Sequence, residues 1–116
     1  MRRLKQRSEF LRVARGQRVG RSAFSLQSAP REIEAAGLGF TVTKQQGNSP
    51  ERNRIRRRLR AAAAVCAVQF KPQHDYVLVG RRAALSIPFD RLVGDLGAAL
   101  AKIHSSPTAG ERNRTA

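Results

Sequence analysis

The apolar positions of this chain change period several times, and each change marks an element. In "SEFLRVARG", Phe10, Val13 and Ala14 share one face at helical spacing, and the pattern stops at Gly16. That predicts a short helix with Ser8 as N-cap, Glu9 in its electropositive first turn and glycine at its end. Next, "RVGRSAFSLQSA" carries Phe24 and Leu26 two residues apart, the period of a strand. "LGFTVT" alternates Leu38, Phe40 and Val42 with Gly39, Thr41 and Thr43, predicting a second, half-buried strand. The polar segment "APREIEAAG" joins the two, and antiparallel pairing between them is the simplest arrangement.

The period returns to 3.6 after "KQQGNSPERNR". Ser49 as N-cap, Pro50 at the first helical position and Glu51 in the first turn predict a helix start there. Ile55, Leu59, Ala62, Ala63, Cys66 and Phe70 then form one apolar stripe that runs to about residue 69 and is broken at Pro72. "YVLVG" is a near-continuous apolar run, which suggests a central strand buried on both faces. Pro88 opens a last helix with the stripe Phe89, Leu92, Val93, Leu96, Leu100 and Ile103, ending near His104. The segment "SSPTAGERNRTA" has no apolar residue larger than alanine and is expected to be disordered. The order helix, strands, helix, strand, helix gives an α+β fold: a single-domain α/β sandwich over residues 1–104, with a tail over 105–116.

Charge changes what this scaffold is for. Of 116 residues, 23 are Lys or Arg and 8 are Asp or Glu, for a net charge of +15. A polyanion that neutralises such self-repulsion is the natural partner, nucleic acid first and an anionic membrane surface second. No stretch has the ~18–20 apolar residues of a membrane span. The Arg-rich N-terminus resembles an organelle transit peptide, but Glu9 and the helix signals after it argue against one. The lone cysteine, Cys66, forms no disulfide within the chain, suits a reducing cytoplasmic compartment and falls on an apolar stripe as a core residue. Basic residues crowd into two blocks, eight within 1–21 and six within 51–60, each with a single acid. Two such blocks suggest one shared binding face.

The second block lies on the predicted helix. At about 100° per residue from Ile55, Asn53, Arg56, Arg57 and Arg60 fall roughly 100–200° away from the buried stripe, while Arg54 and Arg58 flank it. Arg52 projects toward the N-terminal end. Arginine offers a planar fork that holds phosphate bidentately and stacks on bases, and Asn53 adds a donor and an acceptor for a base edge or 2′-hydroxyl. A merely solvated face would mix signs, and Arg56 and Arg60 repel one another at i,i+4 unless an anion is present. The face is built for RNA or DNA.

The run "RNRIRRRLR" at 52–60 resembles the Arg-Asn-Arg helix motif of the protein subunit of bacterial ribonuclease P. "GFTVTKQQGN" is similar to that family's strand and Lys-Gly-Asn approach to the helix. "RSEFLRVARGQR" is similar to its first helix, "HDYVLVGRRAA" to its later strand and "FDRLVGDLGAALAKIH" to its last helix. The resemblance spans residues 3–104 in the right order. It implies the same α+β sandwich with a left-handed strand-helix-strand crossover around the arginine helix, where general rules favour the right hand.

It also implies a function. The family's protein binds a catalytic RNA and the 5′ leader of precursor tRNA, assisting magnesium-dependent removal of the leader. Magnesium is held by the RNA, and no further protein partner is required. Carried over, Arg52, Asn53, Arg54, Arg56, Arg57 and Arg60, with Lys44 and Asn48 beside them, take the catalytic-RNA-facing role. Phe10, Arg12, Arg15 and Phe24 fall at positions of the leader-binding cleft, although core packing explains Phe24 equally well. Departures from the family pattern are Ala14 and Gln27 where an aromatic is frequent, "KQQ" for paired lysines, and Pro50. Independently of the resemblance, the eight acids and two histidines show neither the clustered carboxylates of a two-metal hydrolase nor a histidine pair. No catalytic or metal-binding residue is therefore assigned to this chain. A structural RNA-binding protein of the ribosome would share its size, basicity and fold class; a DNA-binding protein is the weaker third reading, since no helix-turn-helix pair is visible.

Overall fold

A computed structural model of the chain describes residues 1–105. In chain order the elements are β1 (Arg2–Arg3), α1 (Arg7–Ala14), β2 (Gln17–Gly20), β3 (Phe24–Pro30), β4 (Gly37–Thr41), α2 (Ser49–Val65), β5 (His74–Gly80) and α3 (Phe89–Ser105). Short 3-10 turns occupy Lys44–Gln46, Ala67–Gln69 and Arg82–Leu85. The expected tail falls almost wholly outside the described residues; only Ser105 is inside, as the last residue of α3.

The apolar run of β5 lies in the middle of a five-stranded mixed sheet of order β1-β4-β5-β3-β2. This corrects the expected pairing of β3 with β4. β5 inserts between them, antiparallel to β3 (Leu26 opposite Leu78) and parallel to β4 (Leu38 opposite Tyr76). The physical reason is cover. Tyr76, Val77 and Leu78 are all buried, and only a central strand with a helix layer on each face buries side chains of both parities. The segment β4-α2-β5 is thus a strand-helix-strand crossover between adjacent parallel strands.

Alternation along the strands sorts residues between two layers. Phe24, Leu26, Leu38, Tyr76 and Leu78 face α2 and α3, where Ile55, Leu59, Leu92, Leu96 and Leu100 meet them in the main core. Leu4, Ala29 and Val77 face the other way and pack with Val13 of α1 in a smaller cluster bordered by Phe10 and Val79. Ile55 and Leu59 are fully buried, each contributing roughly 1.5–3 kcal/mol, and their packing fixes the rotation of α2 about its axis. Ile55, Leu59, Ala62 and Ala63 of α2 and Leu92, Leu96, Leu100 and Ile103 of α3 are buried as the stripes predict, whereas Val93 is half-buried and Phe89 is 40% exposed. The helix expected to about residue 69 ends at Val65, with Cys66 as its cap and Phe70 beyond a 3-10 turn. Cys66 is buried as expected, its thiol pushed up in pKa by burial.

Both early helix starts shift. α1 is capped at Gln6 rather than Ser8, because the Glu9 carboxylate reaches back to accept from the Gln6 and Lys5 N–H groups at 3.1 and 3.2 Å. Those bonds hold Glu9 below the usual carboxylate range. α2 is capped at Asn48 rather than Ser49. The Asn48 side chain accepts from Glu51 N–H at 2.9 Å while the Glu51 carboxylate accepts from Asn48 N–H at 2.9 Å, a reciprocal capping box. Asparagine, with its longer reach, wins over the serine that follows it.

Candidate nucleic-acid interface

The approach to α2 is fixed from both sides. Gly47 adopts φ +149, and a Cβ there would lie 2.6 Å from the Glu51 carboxylate, so glycine is required by conformation and by space. Arg82 bonds Glu51 at 2.8 Å, and its own N–H donates to the Gln46 side chain at 2.9 Å. The Arg82 contact, followed by the Asn48 N–H, lowers the pKa of Glu51. The only acid of the arginine block is therefore neutralised at the helix start, away from the outer face. Lys44, Asn48, Asn53, Arg54, Arg57 and Arg60 are exposed.

The six arginines of α2 are not equivalent. Arg52 is half-buried and bonds back to Gly47 O and Ser49 Oγ at 3.2 and 2.9 Å. Arg58 points into the protein and holds the carbonyls of Ala84 and Ile87 at 2.5 and 2.6 Å, clamping the segment before α3 onto α2. Arg56 donates to Asn53 Oδ1 at 3.0 Å, and Arg60 lies 5.3 Å from the centre of the Phe40 ring. Arg54 and Arg57 make no hydrogen bond or ion pair among the described residues.

On one flank of α2, Arg56 borders a groove of about 480 Å³ with Lys5, Arg7, Phe10, Leu11 and Phe40. A smaller recess of about 170 Å³ carries the same wall on to Arg60, over Gly39. A Cβ at Gly39 would lie 2.6 Å from the Phe10 ring, so this glycine lets α1 lay its aromatic ring directly on the sheet. The result is a shallow channel between α1 and α2 with two half-buried aromatic rings in it and cations on both banks.

Of the four residues expected in a cleft, only Phe10 lines this channel. Phe24 is fully buried in the main core, on the opposite face of the sheet from α1. It cannot stack on a nucleotide, and its assignment as a cleft residue is corrected to core. Arg12 is turned to the Asp75 carboxylate at 2.5 Å and the Pro30 carbonyl at 2.7 Å. Arg15 is exposed at the end of α1 but does not wall the channel. Phe40, Lys5 and Arg7 were not picked out from the sequence. Phe40 alternates correctly as a core residue, and only the rotation of α2, which brings Arg60 over its ring, marks it as a surface feature.

A family model, Ribonuclease P, matches residues 1–104. The ribonuclease P protein component of Ruegeria pomeroyi is 43% identical over 107 residues, 88% of this chain and 86% of its own length. This chain belongs to the ribonuclease P protein family. The ribonuclease P protein component of Gluconacetobacter diazotrophicus is 46% identical over 104 residues, covering 86% of this chain and 89% of its own. Among solved structures, the RNase P protein of Staphylococcus aureus superposes with a TM-score of 0.75 at 26% identity, covering 89% of this chain and 97% of that one. The Thermotoga maritima RNase P protein shares the fold, with a TM-score of 0.77 at 20% identity over 89% and 98% of the two chains. A ribonuclease P protein is the RNA-binding subunit of a holoenzyme that processes the 5′ leader of tRNA, and the catalytic groups reside in the RNA. The alternative of a ribosomal structural protein is set aside by this match.

Several acids of the chain are held by arginines. Asp75 is engaged by Arg2, Arg12 and Arg31, Glu51 by Arg82 and Asp95 by Arg21. Carboxylates committed to guanidinium groups do not present a magnesium donor set, and no group of three or more His, Cys, Asp or Glu suited to a metal occurs among the described residues. Nor is any helix among them long and apolar enough to cross a membrane.

Proposed function

We propose that α2 is the catalytic-RNA contact of this ribonuclease P protein and that the channel between α1 and α2 receives the single-stranded 5′ leader of precursor tRNA. Arg52, Asn53, Arg54, Arg56, Arg57 and Arg60, with Lys44 and Asn48 at the approach, meet the phosphates and sugar edges of the catalytic RNA. The observation that carries this reading is the pair Arg54 and Arg57, exposed and with no partner among the described residues, on a helix whose rotation is fixed by buried Ile55 and Leu59. Guanidinium groups carried on a fixed helix and not spent on neighbours within the described residues are available to phosphate.

In the channel, Phe10 and Phe40 offer ring surface for bases while Lys5, Arg7, Arg56 and Arg60 hold the backbone. Magnesium is held by the RNA, the protein acts in the cytoplasm, and no other protein is needed for the assembly. The protein's contribution is affinity and placement: charge neutralisation that lets RNA, leader and metal ions assemble at lower magnesium.

The test is reconstitution with the catalytic RNA at low magnesium. The full chain is expected to restore cleavage of precursor tRNA and to favour precursor over mature tRNA. Cleavage no better with the protein than without it rejects the reading.

A further inference from the structure

The second flank of α2 carries a feature that the leader channel and the phosphate contacts leave unused. Phe89, the first residue of α3, stands 40% exposed although it begins an otherwise buried stripe. It walls a groove of about 330 Å³ with Arg54, Arg57, Arg58 and Ala61. Its position is held from behind, because Arg58 grips the carbonyls of Ala84 and Ile87 and so presses the segment leading into Phe89 against α2. The small side chain of Ala61 keeps the floor open. The two cations with no partner among the described residues thus border the same groove as this exposed aromatic ring.

We propose that Phe89 is a base-stacking residue of the interface with the catalytic RNA, taking one unpaired nucleotide whose flanking phosphates sit on Arg54 and Arg57. This deepens the proposed role of α2 and rests on it. The chemistry selects the ligand. An apolar ring alone would suit many partners, but a ring flanked by free guanidinium groups, on a chain of net charge +15, matches the alternation of base and phosphate in a single strand. A protein partner would have to bring an acidic and apolar surface to the same small groove. A fully paired RNA helix would hide its bases from the ring.

The chain contains no tryptophan, so Phe89→Trp installs a single indole in the full-length protein at the proposed stacking position. On titration with the catalytic RNA, its emission is expected to be strongly quenched as the base stacks. In parallel, Phe89→Leu is expected to weaken binding about tenfold with the slope of log affinity against log salt unchanged, since stacking releases no counterion. Phe89→Trp should bind at least as well as the parent. The proposal is overturned if the indole emission does not change while binding proceeds, or if Leu and Trp behave alike, whether both bind normally or both weaken; the last pattern would mean packing of α3. Failure of the underlying reading looks different: the parent chain itself would then show no salt-dependent binding to the catalytic RNA.

Discussion

Tyr76 ties the end of α3 to the central strand through its hydroxyl. It accepts from Lys71 N–H at 3.0 Å and shares a hydrogen bond with His104 Nε2, 2.7 Å away at the end of α3. A neutral imidazole with its proton on Nδ1 accepts the tyrosine proton at Nε2, and burial favours that neutral form. Burial is the largest force lowering its pKa, and the charges of Lys71 and His74 act in the same direction. The folded-state pKa lies below the unfolded reference of 6.5, so on acidification the unfolded chain takes up the proton first. This part of the stability is complete above pH 6.5 and is lost as pH falls from there toward the depressed value. The lowered pKa values of Glu9 and Glu51 act in a more acidic window, below 4.5. Urea midpoints at pH 7.5 and 5.5 should therefore fall for the parent chain and fall less for His104→Gln, which keeps an acceptor for Tyr76 but cannot be protonated. Equal falls in the two proteins would remove His104 as the cause.

At the scale of elements, α2 presents two different flanks rather than one charged face: one borders the groove with Phe10 and Phe40, the other the groove with Phe89. Its apolar stripe could be read in the sequence because Ile55, Leu59, Ala62 and Ala63 recur at a spacing that only a helix lines up. The assignment of its arginines to an outer face could be read too, since geometry gives the angle once the stripe is known. What each arginine does could not be. Arg58 is separated from Arg54 by one turn, yet the first is spent on backbone carbonyls and the second has no partner among the described residues, because the 3-10 turn at Arg82–Leu85 packs beside Arg58. No local pattern records that long-range contact. The division into flanks predicts separable effects. Arg54→Ala with Arg57→Ala should flatten the salt dependence of catalytic-RNA binding by about 1.5 in slope and leave the preference for precursor over mature tRNA largely intact. Arg56→Ala with Arg60→Ala should erode that preference as well, since these two border the channel proposed for the leader. Filter binding of both tRNAs across a salt series reads both effects, and indistinguishable double variants would argue against separate flanks.

Over the whole molecule, the net charge of +15 overstates the cation available to RNA. By charge the basic N-terminal block is half of one binding face, and Lys5 and Arg7 of it border the channel proposed for the leader on the α2 side. But Arg2 and Arg12, joined by Arg31 from the loop after β3, converge on Asp75, whose side chain is fully buried. One carboxylate on the central strand thereby ties down β1, α1 and that loop across the smaller core. In the sequence Asp75 is one acid in a polar turn before an apolar strand, and nothing near it shows that residues 44, 63 and 73 positions earlier will meet there. Removing one partner from such a buried cluster leaves the others uncompensated, here three guanidinium groups crowded together. Asp75→Ala is expected to destabilise the fold by about 3 kcal/mol, read as a lower urea midpoint at neutral pH. The variant Arg54→Ala/Arg57→Ala should leave that midpoint unchanged or raise it, because it removes repulsion and no internal contact. If Asp75→Ala unfolds at the parent's urea concentration, the cluster contributes nothing net.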